Sequence, residues 1–96
     1  MDERRKLSSA ELTEAVRSLT GWSIANGKLH REFKFKDFKQ AFGFMASVAL
    51  IAESLDHHPD WANVYNKVIV ELSTHDLGGI STLDVEFARS VEKLLS

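Results

Sequence analysis

Four histidines, at positions 30, 57, 58 and 75, are the side chains best suited to moving protons near neutral pH. His57 and His58 are adjacent and run directly into Pro59, the chain's one proline. Glu53, Asp56, Asp60, Asp76 and Asp84 surround the 57, 58 and 75 positions in sequence, and Trp61 lies just beyond the proline. Carboxylates orient imidazoles and set their tautomers. An aromatic face can stack on a flat substrate. Together these parts suit proton transfer on a planar heterocycle. Each also has a plainer reading. His57 and His58 end a helical stretch, where exposed carbonyls favour a cationic imidazole by about 0.3–1 kcal/mol. His75 alone is an ordinary loop histidine. His30 alternates with charged residues, so it is expected to face solvent.

Other chemistries fit less well. Cysteine is absent, which removes disulfides, thiolate metal sites and cysteine nucleophiles. No GxSxG sequence marks a serine nucleophile, and Gly78-Gly79 is only a pair rather than a phosphate-cradling loop. His57, His75 and an aspartate have the right donor types for a metal. Adjacent histidines are awkward ligands for one ion, however, and no HExxH pattern supports them, so no metal is expected. Twelve Lys and Arg against 14 Asp and Glu give a net charge of −2, too little positive field for direct nucleic-acid binding.

The elements that must position these residues follow from periodicity. Ser8 and Glu11 form a capping-box pattern ahead of Leu12, Ala15, Val16 and Leu19, which predicts a helix over 9–19 closed by Gly21. Residues 22–25 and 29–35 read as strands around Asn26-Gly27, a strong hairpin signal. Arg31 interrupts the apolar parity of Leu29, Phe33 and Phe35. Asp37 can cap a long helix, Phe38 to Asp56. Its stripe is Phe38, Ala41, Phe42, Met45, Val48, Ala49, Ala52 and Leu55, with Phe44 and Ile51 widening the arc and Leu50 outside it. An arc of about half the circumference exceeds what one sheet needs and suggests a partner surface. Residues 61–65 and 67–73 predict two more strands, with Asn66 able to mark a turn between them. A second hydroxyl–carboxylate cap, Ser81 to Asp84, opens a closing helix bearing Leu83, Phe87, Val91, Leu94 and Leu95. The order α-β-β-α-β-β-α, with short connections, predicts an α+β fold: a four-stranded antiparallel sheet with three helices on one face.

Ninety-six residues allow one domain, 1–96, with residues 1–7 expected to be a loose arm. Composition is that of a soluble globular domain, 44% hydrophobic and 27% charged. The charged start Met-Asp-Glu-Arg-Arg-Lys leads into no apolar segment, and a cytoplasmic location is expected.

The pattern Glu53, Asp56-His57-His58-Pro59, Trp61, Tyr65, His75, Asp84 resembles the pterin-4a-carbinolamine dehydratases. The runs Phe35–Phe38, Ala41–Met45, Asn63–Val68 and Leu72–His75 match that family closely. Leu77 departs from it, standing where animal relatives often carry cysteine. The resemblance implies dehydration of 4a-hydroxytetrahydropterin to the quinonoid dihydropterin, which recycles tetrahydrobiopterin, with pterin as substrate and neither metal nor organic cofactor. It implies His57, His58 and His75 as the acid–base set, with Glu53 and Asp84 orienting them. It places Asp56, Trp61, Ser73, Thr74 and Asp76 around the pterin. It also implies homodimers through a sheet edge, tetramers through the 38–56 helix, and a second role as coactivator of a homeodomain transcription factor, which would add a nuclear location.

Overall fold

The computed structural model describes residues 4–96. These form α1 (Ser9–Ser18), β1 (Ser23–Ala25), β2 (Lys28–Lys34), α2 (Phe38–Leu55), β3 (Asp60–Val64), β4 (Lys67–Leu72) and α3 (Thr82–Leu95). A short 3-10 turn, His75–Leu77, precedes α3. The expected order and the antiparallel sheet are both observed, with strands arranged β1-β2-β4-β3.

Local chemistry sets the turns. Asn26 and Gly27 both take positive φ, 53° and 76°, and join β1 to β2 as a two-residue hairpin. Tyr65-Asn66 makes the second tight turn, with Val64 opposite Lys67. Tyr65 sits at φ 52°, a poor conformation for an aromatic residue. Two asparagines hold it there. Asn63 Nδ2 donates to the carbonyls of Tyr65 and Lys67 at 3.1 and 2.8 Å, and Asn66 Nδ2 donates to that of Phe35 at 2.8 Å.

Residues directly opposite in an antiparallel ladder share a face. The pairs Leu29–Leu72, Arg31–Val70 and Phe33–Val68 therefore define one side of the sheet, which all three helices cover. Leu29, Val68, Val70 and Leu72 are fully buried there. Burying each such side chain contributes about 1.5–3 kcal/mol. The other side is polar: His30 pairs with Glu71 at 2.8 Å, and Lys28 with Asp60 at 2.7 Å. The Asp60 carboxylate holds the Lys28 ammonium above the usual lysine range. Asp60 is thus engaged on the open face, away from the helices.

Arg31 stands on the buried side without being stranded. Its guanidinium lies 4.5 Å from the Phe33 ring centroid, donates to the Thr20 carbonyl, and pairs with Glu92 of α3. Glu92 also accepts from Trp22 Nε1 at 2.8 Å. A side chain on Gly21, at φ 91°, would come within 2.8 Å of that guanidinium.

Two expectations are corrected. The core line of α2 is Ala41, Phe44, Val48 and Ala52. Phe44 lies 4.7 and 4.9 Å from the Phe33 and Phe35 rings, whereas Phe38 and Phe42 are 49% and 57% exposed. A helix apolar over half its surface carries two overlapping stripes, and periodicity alone does not say which faces the sheet. Leu94 and Leu95, expected to help close the fold, are likewise partly exposed at the end of α3, 44% and 43%. The second correction concerns the arm. Residues 5–7 are tied down: Lys6 bridges Ser81, Leu7 N donates to the Ile80 carbonyl, and Thr82 N donates to that of Arg5. The first three positions of the expected arm lie outside the described residues.

Arg5 also grips the capping box of α1. Its guanidinium meets both Glu11 oxygens at 2.8 and 2.6 Å, while Glu11 accepts from Ser8 N. These donors, Arg5 foremost, hold the Glu11 carboxyl at about 2 rather than 4.5. A depressed carboxyl stabilises the fold above its unfolded value and ceases to do so as pH falls through its folded value. Glu11→Gln should therefore lower stability near neutral pH, and the gap to wild type should close as pH drops from 4.5 to about 2. Urea melts across that range check this; a constant gap would contradict it.

Candidate active site

The C-terminus of α2 aims the first histidine. Asp56 adopts the left-handed conformation, φ 49° and ψ 46°, and stops the helix. His57 N then donates back to the Ala52 carbonyl at 3.0 Å. Pro59 keeps His58 from continuing the helix. The plainer reading, in which both imidazoles cap helix carbonyls, does not hold, because each meets a carboxylate instead. His57 Nε2 lies 2.5 Å from Asp84 Oδ1, and His58 Nε2 lies 2.7 Å from Glu53 Oε1.

The two pairs differ in setting. Asp84 is fully buried and the His57 side chain is 11% exposed. The His57 ring meets Phe87 edge-on, with centroids 6.2 Å apart. The His58 and Glu53 side chains are 59% and 76% exposed, so water screens that pair.

Asp84 occupies the first turn of α3 because of its capping box: Ser81 N donates to Asp84 Oδ2 at 2.8 Å, while Ser81 Oγ accepts from Leu83 N at 3.1 Å. Thr74 Oγ1 donates to the same carboxylate oxygen at 2.8 Å and lies 2.5 Å from Ser81 Oγ. The helix N-terminus adds a favourable partial positive charge. The Asp84 carboxylate therefore binds the end of α2, the end of β4 and the start of α3 to one another. No buried polar side-chain atom among the described residues lacks a partner.

The expected site residues divide accordingly. His57, Asp84 and Thr74 are in one hydrogen-bonded group. His75 directly follows Thr74 and opens the 3-10 turn, where it and Asp76 are exposed. Thr74 N donates to the Gly79 carbonyl at 2.8 Å, which closes that loop. Thr74 itself is only 3% exposed, so its side chain serves the carboxylate rather than the surface. Asp56 is exposed at the helix end, and Ser73 is half-buried past β4. Trp61 is half-buried on the helix side of β3, opposite Val70, and packs against the core. Two further residues belong to the site. Ser81 was legible only as a cap and Phe87 only as core; the Ser-x-x-Asp box was the available signal for the former. A groove between α1 and α3, lined by Leu7, Glu14, Ala15, Val85, Arg89 and Lys93, contains none of the histidines.

The consequence for stability is asymmetric. Asp84→Ala strands three donors and should cost about 2–5 kcal/mol, whereas His58→Ala should cost less than about 1 kcal/mol. Denaturant melts of the two variants check this; equal losses would contradict it.

Comparison with known proteins agrees with the geometry. The family described as pterin 4 alpha carbinolamine dehydratase matches residues 5–94. A Solibacter usitatus protein named for that dehydratase is 51% identical over 89 residues, 93% of this chain and 94% of its own length. A Prochlorococcus marinus protein of the same name is 50% identical over 92 residues, 96% of each chain. A crystal structure from Brucella melitensis, described as a transcriptional coactivator/pterin dehydratase, superposes with a TM-score of 0.91 at 48% identity. It covers 96% of this chain and 100% of its own. The helix-end histidine pair, the distal histidine and the buried aspartate thus sit in a chain that belongs to the pterin-4a-carbinolamine dehydratase family.

Proposed function

We propose that the protein dehydrates 4a-hydroxytetrahydropterins by histidine acid–base catalysis, with no metal or organic cofactor. The observation that carries this is the buried Asp84–His57 pair, hydrogen-bonded to the residue that leads directly into His75. In the reaction the C4a–oxygen bond breaks and the hydroxyl leaves as water, taking a proton from an acid. A base removes the proton of the neighbouring ring nitrogen, whose electron pair forms the new C=N bond of the quinonoid dihydropterin. His57 and His75 are the acid–base pair in this reading. His58, held by Glu53, positions the substrate. Asp56, Ser73 and Asp76 line its edge, Trp61 walls it, and Thr74 contributes backbone groups. The product is the form from which the tetrahydropterin cofactor is regenerated.

A second reading rests on the exposed flank of α2. The Phe38 and Phe42 rings lie tilted against each other with centroids 5.8 Å apart, and Leu50 is 73% exposed. Phe44 does not belong to that surface, being core. Such a flank suits self-association or a protein partner, including a transcription factor, in line with the Brucella protein's description as a coactivator. The nucleus would then join the cytoplasm as a compartment. The edge strands of the sheet offer a second self-association surface.

A stopped-flow assay of 4a-hydroxytetrahydropterin dehydration separates the two. The wild type should accelerate the reaction, and His57→Ala with His75→Ala should abolish the acceleration while leaving circular dichroism unchanged. Undiminished turnover in the folded double variant would refute the catalytic assignment. A folded wild type without activity would shift the function to the α2 flank.

A further inference from the structure

The hydroxyls behind Asp84 form a one-way chain, and its direction follows from counting protons. Thr74 Oγ1 has one proton and lies 2.8 Å from Asp84 Oδ2, which can only accept from it. Thr74 must then receive the proton of Ser81 Oγ, 2.5 Å away. Ser81 Oγ in turn accepts backbone N–H groups at the start of α3. Every donor thus points toward the carboxylate. Asp84 Oδ2 receives both Thr74 Oγ1–H and Ser81 N–H, which leaves Oδ1 for His57. With Oδ2 occupied by two donors, Oδ1 accepts in its turn, so the shared proton sits on imidazole Nε2. The helix N-terminus adds its partial positive charge beside the same carboxylate.

We infer that Thr74 and Ser81 are positioning residues that lock His57 as its Nε2–H form and leave Nδ1 as the nitrogen that exchanges protons with substrate. Nδ1 has no hydrogen-bond partner among the described residues, yet it is not a sealed orphan, so solvent or a ligand reaches it. The groups facing His57 are Asp84 and Phe87, both from α3; Glu53, nearby on α2, is engaged by His58. The chain therefore acts on the reaction only through Asp84 and His57. Fixing an imidazole's tautomer and direction is worth a large part of what it contributes as acid or base. The inference builds on the dehydratase reading.

Histidine ring nitrogen NMR on the whole protein tests the tautomer without any assay. In wild type, His57 should show Nε2 protonated and Nδ1 unprotonated at a pH where the ring is neutral; the reverse pattern would overturn the proposal. Thr74→Val removes one donor from Asp84 and leaves more negative charge facing His57. Its kcat should fall on the order of tenfold with KM little changed. The acidic limb of its pH–rate profile should move to higher pH, because the imidazolium is better stabilised. Thr74→Ser keeps the hydroxyl and should restore both. A Thr74→Val enzyme that is slower but keeps the wild-type limb and tautomer would show a merely structural role and refute the proposal. Should Thr74→Val not fold, Thr74→Ala, which also removes the hydroxyl, is measured in its place with the same two readouts. Absence of turnover in wild type would remove the dehydratase reading, while the tautomer measurement would stand separately.

Discussion

Asp84 is a charge removed from water, and a buried charge is tolerated only where donors replace its hydration. Three chain positions supply or support that replacement: His57 after α2, Thr74 after β4, and Ser81 with its own backbone N–H at the start of α3. None of these segments is adjacent in sequence to all the others. The sheet must set β4 under α2, and α3 must return across the same face, before the donors can converge. The hydrophobic layer of Val68, Val70 and Leu72 against Val48, Ala52 and Phe87 achieves this. Folding and site assembly are in this sense one event.

Burial also sets the strength of the interaction. In water an aspartate would neither fix nor polarise a histidine for long. Inside, with one oxygen occupied by Thr74 and Ser81, the carboxylate has a single remaining oxygen for the imidazole. Phe87 packs against the imidazole in a T-shaped contact. The exposed His58–Glu53 pair has the same chemical parts but lacks the dry setting, so it orients weakly. Two superficially equal His–carboxylate pairs therefore differ in how firmly they are held.

Much of this was legible in the residues. The capping boxes at Ser8 and Ser81, the Asn26-Gly27 hairpin and the period-two strands carry local signals whose physics acts within a few residues. The histidine pattern named the family, and its members Asp84 and His57 proved to be joined. What could not be read were relations between distant segments. Arg31 broke its strand's parity because Glu92, far along the chain, provides a partner for its guanidinium. Phe44 and Phe42 were equally apolar, and only the position of the Phe33 and Phe35 rings decides which one is core. The residues ahead of α1 looked loose because their partners, Ile80 to Thr82, lie at the opposite end of the sequence. That the Thr74 hydroxyl turns to Asp84 was likewise a relation between distant segments.

The central claim is that the buried Asp84 carboxylate arms His57 for proton transfer. Single-turnover dehydration of 4a-hydroxytetrahydropterin by Asp84→Asn, compared with wild type at equal folded concentration by near-ultraviolet circular dichroism, tests it most directly. The amide is nearly isosteric but presents no charge and turns a donor toward His57 or Thr74. Asp84→Asn should fold, and its rate should fall by on the order of a hundredfold or more. A folded Asp84→Asn enzyme working at the wild-type rate would contradict it.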